Sequence, residues 1–218
     1  INLICLDSNM KEIQDWVWIG LDLTINLILL VGSFLFLKTK TKNPLGYYLL
    51  ILLVIQIINS ILAKLVLSNL NLVSISYYFN FCYLTYYFYK YYFELEKKKF
   101  YLLLGLGCLP LIIKLVFHSS LTNFKAYDWV IYDGYLVILT LLGIFKLLQQ
   151  QEFNNNHLII CFSILLFFGI DFSISFVNNY LLFGKFEIVA WVWLVRAIAL
   201  LLYFLTLSIC TWKILKKA

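Results

Sequence analysis

Charge is scarce in this chain. Of its 218 residues only 13% are Asp, Glu, Lys or Arg, about half the usual share of a soluble globular domain. A fold that solvates its whole surface in water is therefore excluded. Proline is rarer still, with only Pro44 and Pro110. The five cysteines, Cys5, Cys82, Cys108, Cys161 and Cys210, stand singly without a C-x-x-C pair, a pattern that points to neither a disulfide framework nor a zinc or iron–sulfur site. The chain also lacks G-x-S-x-G, H-E-x-x-H, Walker A and dinucleotide fingerprints, so familiar hydrolases, zinc proteases and nucleotide enzymes find no support. No enzymatic activity, metal or cofactor is expected. No signal peptide can be judged from a sequence that opens on Ile1 rather than Met.

What is present is apolar. Hydrophobic residues make up 63% of the chain and its mean hydropathy is +0.91. Seven continuous apolar runs can be marked, at about Trp16–Leu37, Leu45–Leu67, Val73–Phe93, Phe100–Phe117, Trp129–Leu148, Leu158–Phe183 and Val189–Trp212. Each approaches the ~20 residues that carry a helix across a bilayer core of about 30 Å. Continuous runs, rather than period-two alternation, favour helices over a barrel. The expected fold is thus all-α: a seven-helix transmembrane domain over residues 16–215, preceded by an extracytoplasmic segment over residues 1–15. The third run is the weakest, because residues 77–92 hold eight of the sixteen tyrosines. Those near Lys90 suit an interfacial aromatic belt, and Tyr77, Tyr78 and Tyr83 are candidates to line a pocket.

Lysine and arginine are distributed unevenly between the two sets of loops. Lys38, Lys40, Lys42, Lys90, Lys97, Lys98, Lys99, Lys146, Lys213, Lys216 and Lys217 fall on one side, against Lys11, Lys125 and Lys185 on the other. This predicts an outside N-terminus and a cytoplasmic C-terminus. The net charge of +6 then orients a membrane protein; no nucleic-acid partner is expected. The topology separates His118 from His157, which excludes a bis-histidine haem.

Charges within the runs carry more information, since each costs roughly 2.5–3.5 kcal/mol near the bilayer centre. Lys64 and Lys114 lie near the outer ends of their runs and are expected to snorkel to the headgroups. At 1.5 Å of rise per residue, Arg196 lies about 10 Å below the outer boundary, Asp22 about 9 Å, Asp133 about 6 Å and Asp171 about 16 Å. These depths predict an outward-facing cluster in which Arg196 pairs with Asp171 or Asp22, with Asn26 and Tyr132 as further hydrogen-bond candidates. The cluster is either an internal ion pair that fixes helix register or a ligand or proton site. Gln56, Asn59, Asn80, Asn178 and Asn179 are expected to bond between helices. Gly105, Gly107 and Pro110 make a kink plausible in the fourth run.

Seven helices with an outside N-terminus are also the topology of retinal proteins. These need a lysine in the middle of the last helix, whereas Lys213 is the last run's only lysine and lies at its end, so covalent retinal is not expected. The succession Asn43-Pro44-Leu45-Gly46-Tyr47-Tyr48, Ile61-Leu62-Ala63-Lys64, Tyr86-Tyr87-Phe88-Tyr89-Lys90, Lys97-Lys98-Lys99 and Trp212-Lys213 resembles small seven-helix bacterial membrane proteins. These are similar to the membrane halves of some sensor histidine kinases. The resemblance implies sensing or partner binding in a cytoplasmic membrane and carries over no catalytic residue. No phosphoacceptor or ATP-binding domain is expected, so a signal would pass to another chain.

The sequence thus favours a non-enzymatic integral membrane module that senses or binds a protein partner, in the membrane or at its cytoplasmic face. Lys38, Lys40, Lys42, Lys97, Lys98 and Lys99 would touch anionic lipid or that partner. An accessory subunit of a larger membrane complex is the first alternative and a small-solute or proton transporter the second, although no internal repeat supports transport.

Overall fold

A computed structural model describes residues 2–39, 44–64, 70–93, 97–117, 127–150, 155–181 and 186–217, with side chains described within 16–38, 44–62, 72–93, 97–116, 127–150, 155–176 and 191–214. Seven helices make up this structure: α1 (Asn2–Thr39), α2 (Pro44–Lys64), α3 (Leu70–Tyr91), α4 (Lys97–Phe117), α5 (Tyr127–Leu148), α6 (Asn155–Leu181) and α7 (Phe186–Lys217). No strand occurs among the described residues. Helices are the form a chain with so few polar groups must take in lipid, because each satisfies its own backbone amides. α2 opens on Pro44, whose fixed φ suits a first helical turn and whose missing N–H would have had no partner there.

Six helices, α1, α2 and α4 to α7, contain stretches long and apolar enough to cross a membrane. These define a multi-pass membrane protein. α3 is the exception, and its burial pattern gives the reason. Ser74, Tyr77, Thr85 and Tyr87 are buried among the other helices, while Ile75 lies on the exposed side. The polarity that lowers its hydropathy is mostly spent inside the bundle.

The helices form a closed ring. Each packs against its neighbours in sequence, α7 closes onto α1, and α2–α7 and α3–α5 contacts cross the interior. Successive helices run in opposite directions, as their contacts require. At one end Phe36 meets Tyr47, the Tyr83 hydroxyl donates to the Pro44 carbonyl, Tyr89 meets Phe100 and Tyr87 meets His157. At the other, Gln56 reaches α1, α4 reaches α5, and α6 reaches α7 through the polar contacts described below. Close approach depends on small residues, as is usual between membrane helices. A Cβ on Gly143 of α5 would lie 2.5 Å from a ring carbon of Phe88 on α3, and one on Gly46 of α2 would overlap Phe36 of α1.

The main core gathers Leu29, Leu49, Leu84, Leu136, Ile164, Phe168 and Leu207. A smaller one joins Tyr77, Phe81, Trp129 and Tyr132. Leu27, Phe34, Ile138, Phe145 and Phe176 point outward and are more than half exposed, an apolar surface that suits lipid and would be unusual in water. α4 continues unbroken through Pro110. Proline offers no N–H to the preceding turn, and the Tyr132 hydroxyl donates into that turn, to the Gly107 carbonyl at 2.8 Å.

Candidate functional site

The half of the bundle towards the ends of α2, α4 and α6 and the starts of α3, α5 and α7 holds two ion pairs. In the first, Arg196 of α7 donates from Nε to Asp171 Oδ1 at 2.5 Å and from Nη2 to Asp171 Oδ2 at 3.1 Å. This is the forked geometry in which guanidinium and carboxylate bind most strongly. Tyr77 of α3 completes the group: its hydroxyl donates to Asp171 Oδ2 at 2.7 Å and accepts from Arg196 Nη2 at 2.9 Å. Trp193, one turn before Arg196, places its ring 5.3 Å from the guanidinium carbon. Asp171 is 1% exposed, whereas the Arg196 side chain is 22% exposed, so the cation keeps a face outside the pair.

In the second pair, Lys114 Nζ lies 2.9 Å from Asp128 Oδ1, with the side chains 3% and 0% exposed. The expectation that Lys114 snorkels is therefore corrected: its ammonium turns into the bundle because a carboxylate waits there. Lysine in the last turn of α4 and aspartate in the first turn of α5 also suit the partial charges of those helix ends. Lys64 lies outside the residues with described side chains.

Aromatic contacts connect the two pairs. Lys114 Nζ sits 5.3 Å from the Trp129 ring centre, and Trp129 stacks on Tyr77 at 5.0 Å with an interplanar angle of 9°. Asp133 is fully buried on α5. One of its oxygens accepts from Ser175 at 3.5 Å; the other has no hydrogen-bond partner among the described residues.

The remaining predicted residues take other roles. Asp22 is exposed on α1 and accepts from Gln56 Nε2 at 3.1 Å, while the hydrogen bonds of Arg196 go to Asp171 and Tyr77. Asn26 donates to the backbone carbonyl of Asp22 at 2.9 Å. Tyr132 serves α4 rather than Arg196. Lys38, Lys97, Lys98 and Lys99 are exposed at the opposite end of the bundle, and Lys40 and Lys42 lie outside the described residues.

A cavity of about 140 Å³ opens between α2, α3, α6 and α7, lined by Gln56, Asn59, Asn80, Asp171, Arg196 and Tyr203 among others. Below the ion pair its wall carries a hydroxyl relay. Tyr48 donates to Asn80 Oδ1 at 2.9 Å, which leaves Tyr203 to donate to the Tyr48 oxygen at 3.0 Å. The sequence places Asn80 among the residues expected to bond between helices, and gives Tyr48 and Tyr203 no role in such a relay. A second cluster lies at the opposite end, where the Tyr87 and Tyr92 hydroxyls approach His157 Nδ1 at 2.9 and 3.1 Å.

Together these features describe a multi-pass α-helical membrane protein with a buried, ion-paired cavity. The chain matches no protein-family model, no curated protein and no solved structure.

Proposed function

We propose that the chain is a seven-crossing, non-enzymatic module of a bacterial cytoplasmic membrane, with its N-terminus outside, that senses or binds through its outer cavity and passes the result to a protein partner. The observation that carries this reading is Arg196, held by Asp171 and Tyr77 yet left partly accessible on the cavity wall. A guanidinium with an open face can do more than fix register. α3 counts as the seventh crossing because its polar groups have partners inside the bundle, and the exposed Lys38, Lys97, Lys98 and Lys99 mark the cytoplasmic end under the positive-inside rule.

The test is purification from the native membrane in mild detergent, with partners counted by mass spectrometry. A stoichiometric partner whose retention falls in a well-folded Arg196→Gln variant is the expected result. A solitary chain that drives solute uptake into liposomes would replace the module with a transporter. A second reading, as an accessory subunit, draws on one observation: an apolar groove of about 550 Å³ along α1 and α7, lined by Leu27, Val31, Leu35, Leu205 and Ile209, offers a neighbouring helix a seat. A partner retained equally by the wild type and the Arg196 variant would favour it.

A further inference from the structure

We infer that the groove along α1 and α7 holds one anionic glycerophospholipid, its acyl chain laid between the two helices and its phosphate against Lys213. This goes beyond the module reading and does not depend on it, since it uses only the membrane assignment, the groove and the distribution of lysine. Space comes first. The groove encloses about 550 Å³, several times the roughly 150 Å³ that takes a benzene-sized guest. Gly32 lies at its floor: it is buried, and a Cβ there would lie 2.4 Å from Ser208 Oγ of α7. The helices thus approach closely at the bottom, as small residues allow, while Val31 of α1 and Ile209 of α7 line the opening and are exposed.

Length identifies the kind of occupant. The apolar crossing stretches are Trp16–Lys38 of α1 and Trp191–Ile214 of α7. The groove takes only their second halves, from Leu27 to Leu35 and from Leu205 to Lys213. Eight residues rise about 12 Å, close to half of a hydrocarbon core of about 30 Å. Successive helices alternate in direction, so α1 and α7 run the same way and both halves belong to one leaflet. A partner helix crosses both leaflets, whereas a lipid chain occupies one, which is the extent of this groove.

Charge identifies the headgroup. Lys213 is the last lining residue along α7, and Trp212 beside it is exposed, an aromatic at the level where headgroups begin. Lys38 stands exposed one turn beyond Leu35 on α1. Residues 23–44 hold three lysines and residues 197–218 another three, and neither stretch contains Asp or Glu. An anionic phosphate therefore meets cations here and no competing carboxylate from these two stretches, the condition under which basic pockets between membrane helices retain acidic lipid. A zwitterionic lipid carries its own cation and gains less from Lys213.

The experiment uses the full chain, stripped of native lipid in mild detergent and offered dioleoyl phosphatidylglycerol or dioleoyl phosphatidylcholine. Native mass spectrometry counts the lipid retained, and a phosphatidylglycerol with a diazirine in its acyl chain marks where that chain lies. One tightly held phosphatidylglycerol is expected, with phosphatidylcholine about fivefold weaker and the label within residues 27–35 and 205–213. Lys213→Gln is expected to bring phosphatidylglycerol down to the phosphatidylcholine level. Val31→Phe, which fills the groove, is expected to abolish the labelling and the tight retention, whereas Ile138→Phe, exposed on α5, leaves both unchanged. If Val31→Phe does not fold, Ile209→Phe supplies the same reading from the other helix. Equal retention of the two lipids by the wild type, undiminished retention by a folded groove-filling variant, or labelling elsewhere would overturn the assignment. A groove empty of lipid, with a co-purifying membrane protein lost on Val31→Phe, would overturn it in favour of a neighbouring helix.

Discussion

The two ends of the bundle carry cations under opposite conditions. At one end Lys114 and Arg196 are drawn inward and each faces a buried aspartate; at the other, Lys38, Lys97, Lys98, Lys99 and Lys213 stand exposed. The side chains are alike and the energetics are not. A buried charge is bound to its partner because nothing else compensates it, while a charge in water interacts weakly and is screened. Position relative to lipid, more than residue type, decides which cations hold the structure together and which are left free to meet something else.

The largest effect should come from breaking the Arg196–Asp171 pair on one side only. Asp171→Leu or Arg196→Leu is expected to cost about 3–5 kcal/mol, because each strands a charge. The double Arg196→Leu, Asp171→Leu variant is expected to recover most of that loss in mixed-micelle unfolding. A double variant as damaged as either single one would show that packing, not charge, is what the site supplies. Lys114→Met comes next, at about 3 kcal/mol, the cost of leaving the Asp128 carboxylate buried without its cation. Its comparison with Lys97→Gln in the same assay is the sharpest contrast between the two ends.

Tyr203→Phe removes one link of the hydroxyl relay and is expected to cost about 0.6–1.7 kcal/mol, the range for hydrogen bonds between membrane helices. The smallest effect on stability belongs to the triple Lys97→Gln, Lys98→Gln, Lys99→Gln variant, within about 0.5 kcal/mol of wild type. Its cost should appear instead in anionic lipid retained on purification, weakened by about 1 kcal/mol per lysine. Equal lipid retention by the two proteins would remove the membrane-surface role from this end.

The helices were legible because apolar runs of this length permit little else. Depth along an axis also brought Arg196 to Asp171 without coordinates. The same measure could not choose between Asp171 and Asp22, since rise per residue says how far down a side chain lies and nothing of the direction it points; Asp22 faces outward on α1. Lys114 was misread for a related reason. Its partner, Asp128, sits one residue before the fifth apolar run as the sequence delimits it, so the lysine seemed to have only headgroups to reach. The Tyr48–Tyr203 relay was hidden because tyrosine in an apolar run reads as filler until its hydroxyl is located. The sequence reading of His157 went no further than its separation from His118, and the hydroxyls of Tyr87 and Tyr92 meet its ring.

α3 has a consequence for how the protein is made. Alone among the seven helices it falls short of the hydropathy that marks a crossing, and its Ser74, Tyr77, Thr85 and Tyr87 are buried against neighbours that include α5, synthesised later. On the seven-crossing reading it cannot settle into lipid as it leaves the ribosome. It must wait beside α2 at the insertion machinery until α4 and α5 arrive, so the least apolar helix is secured only after helices made later than itself.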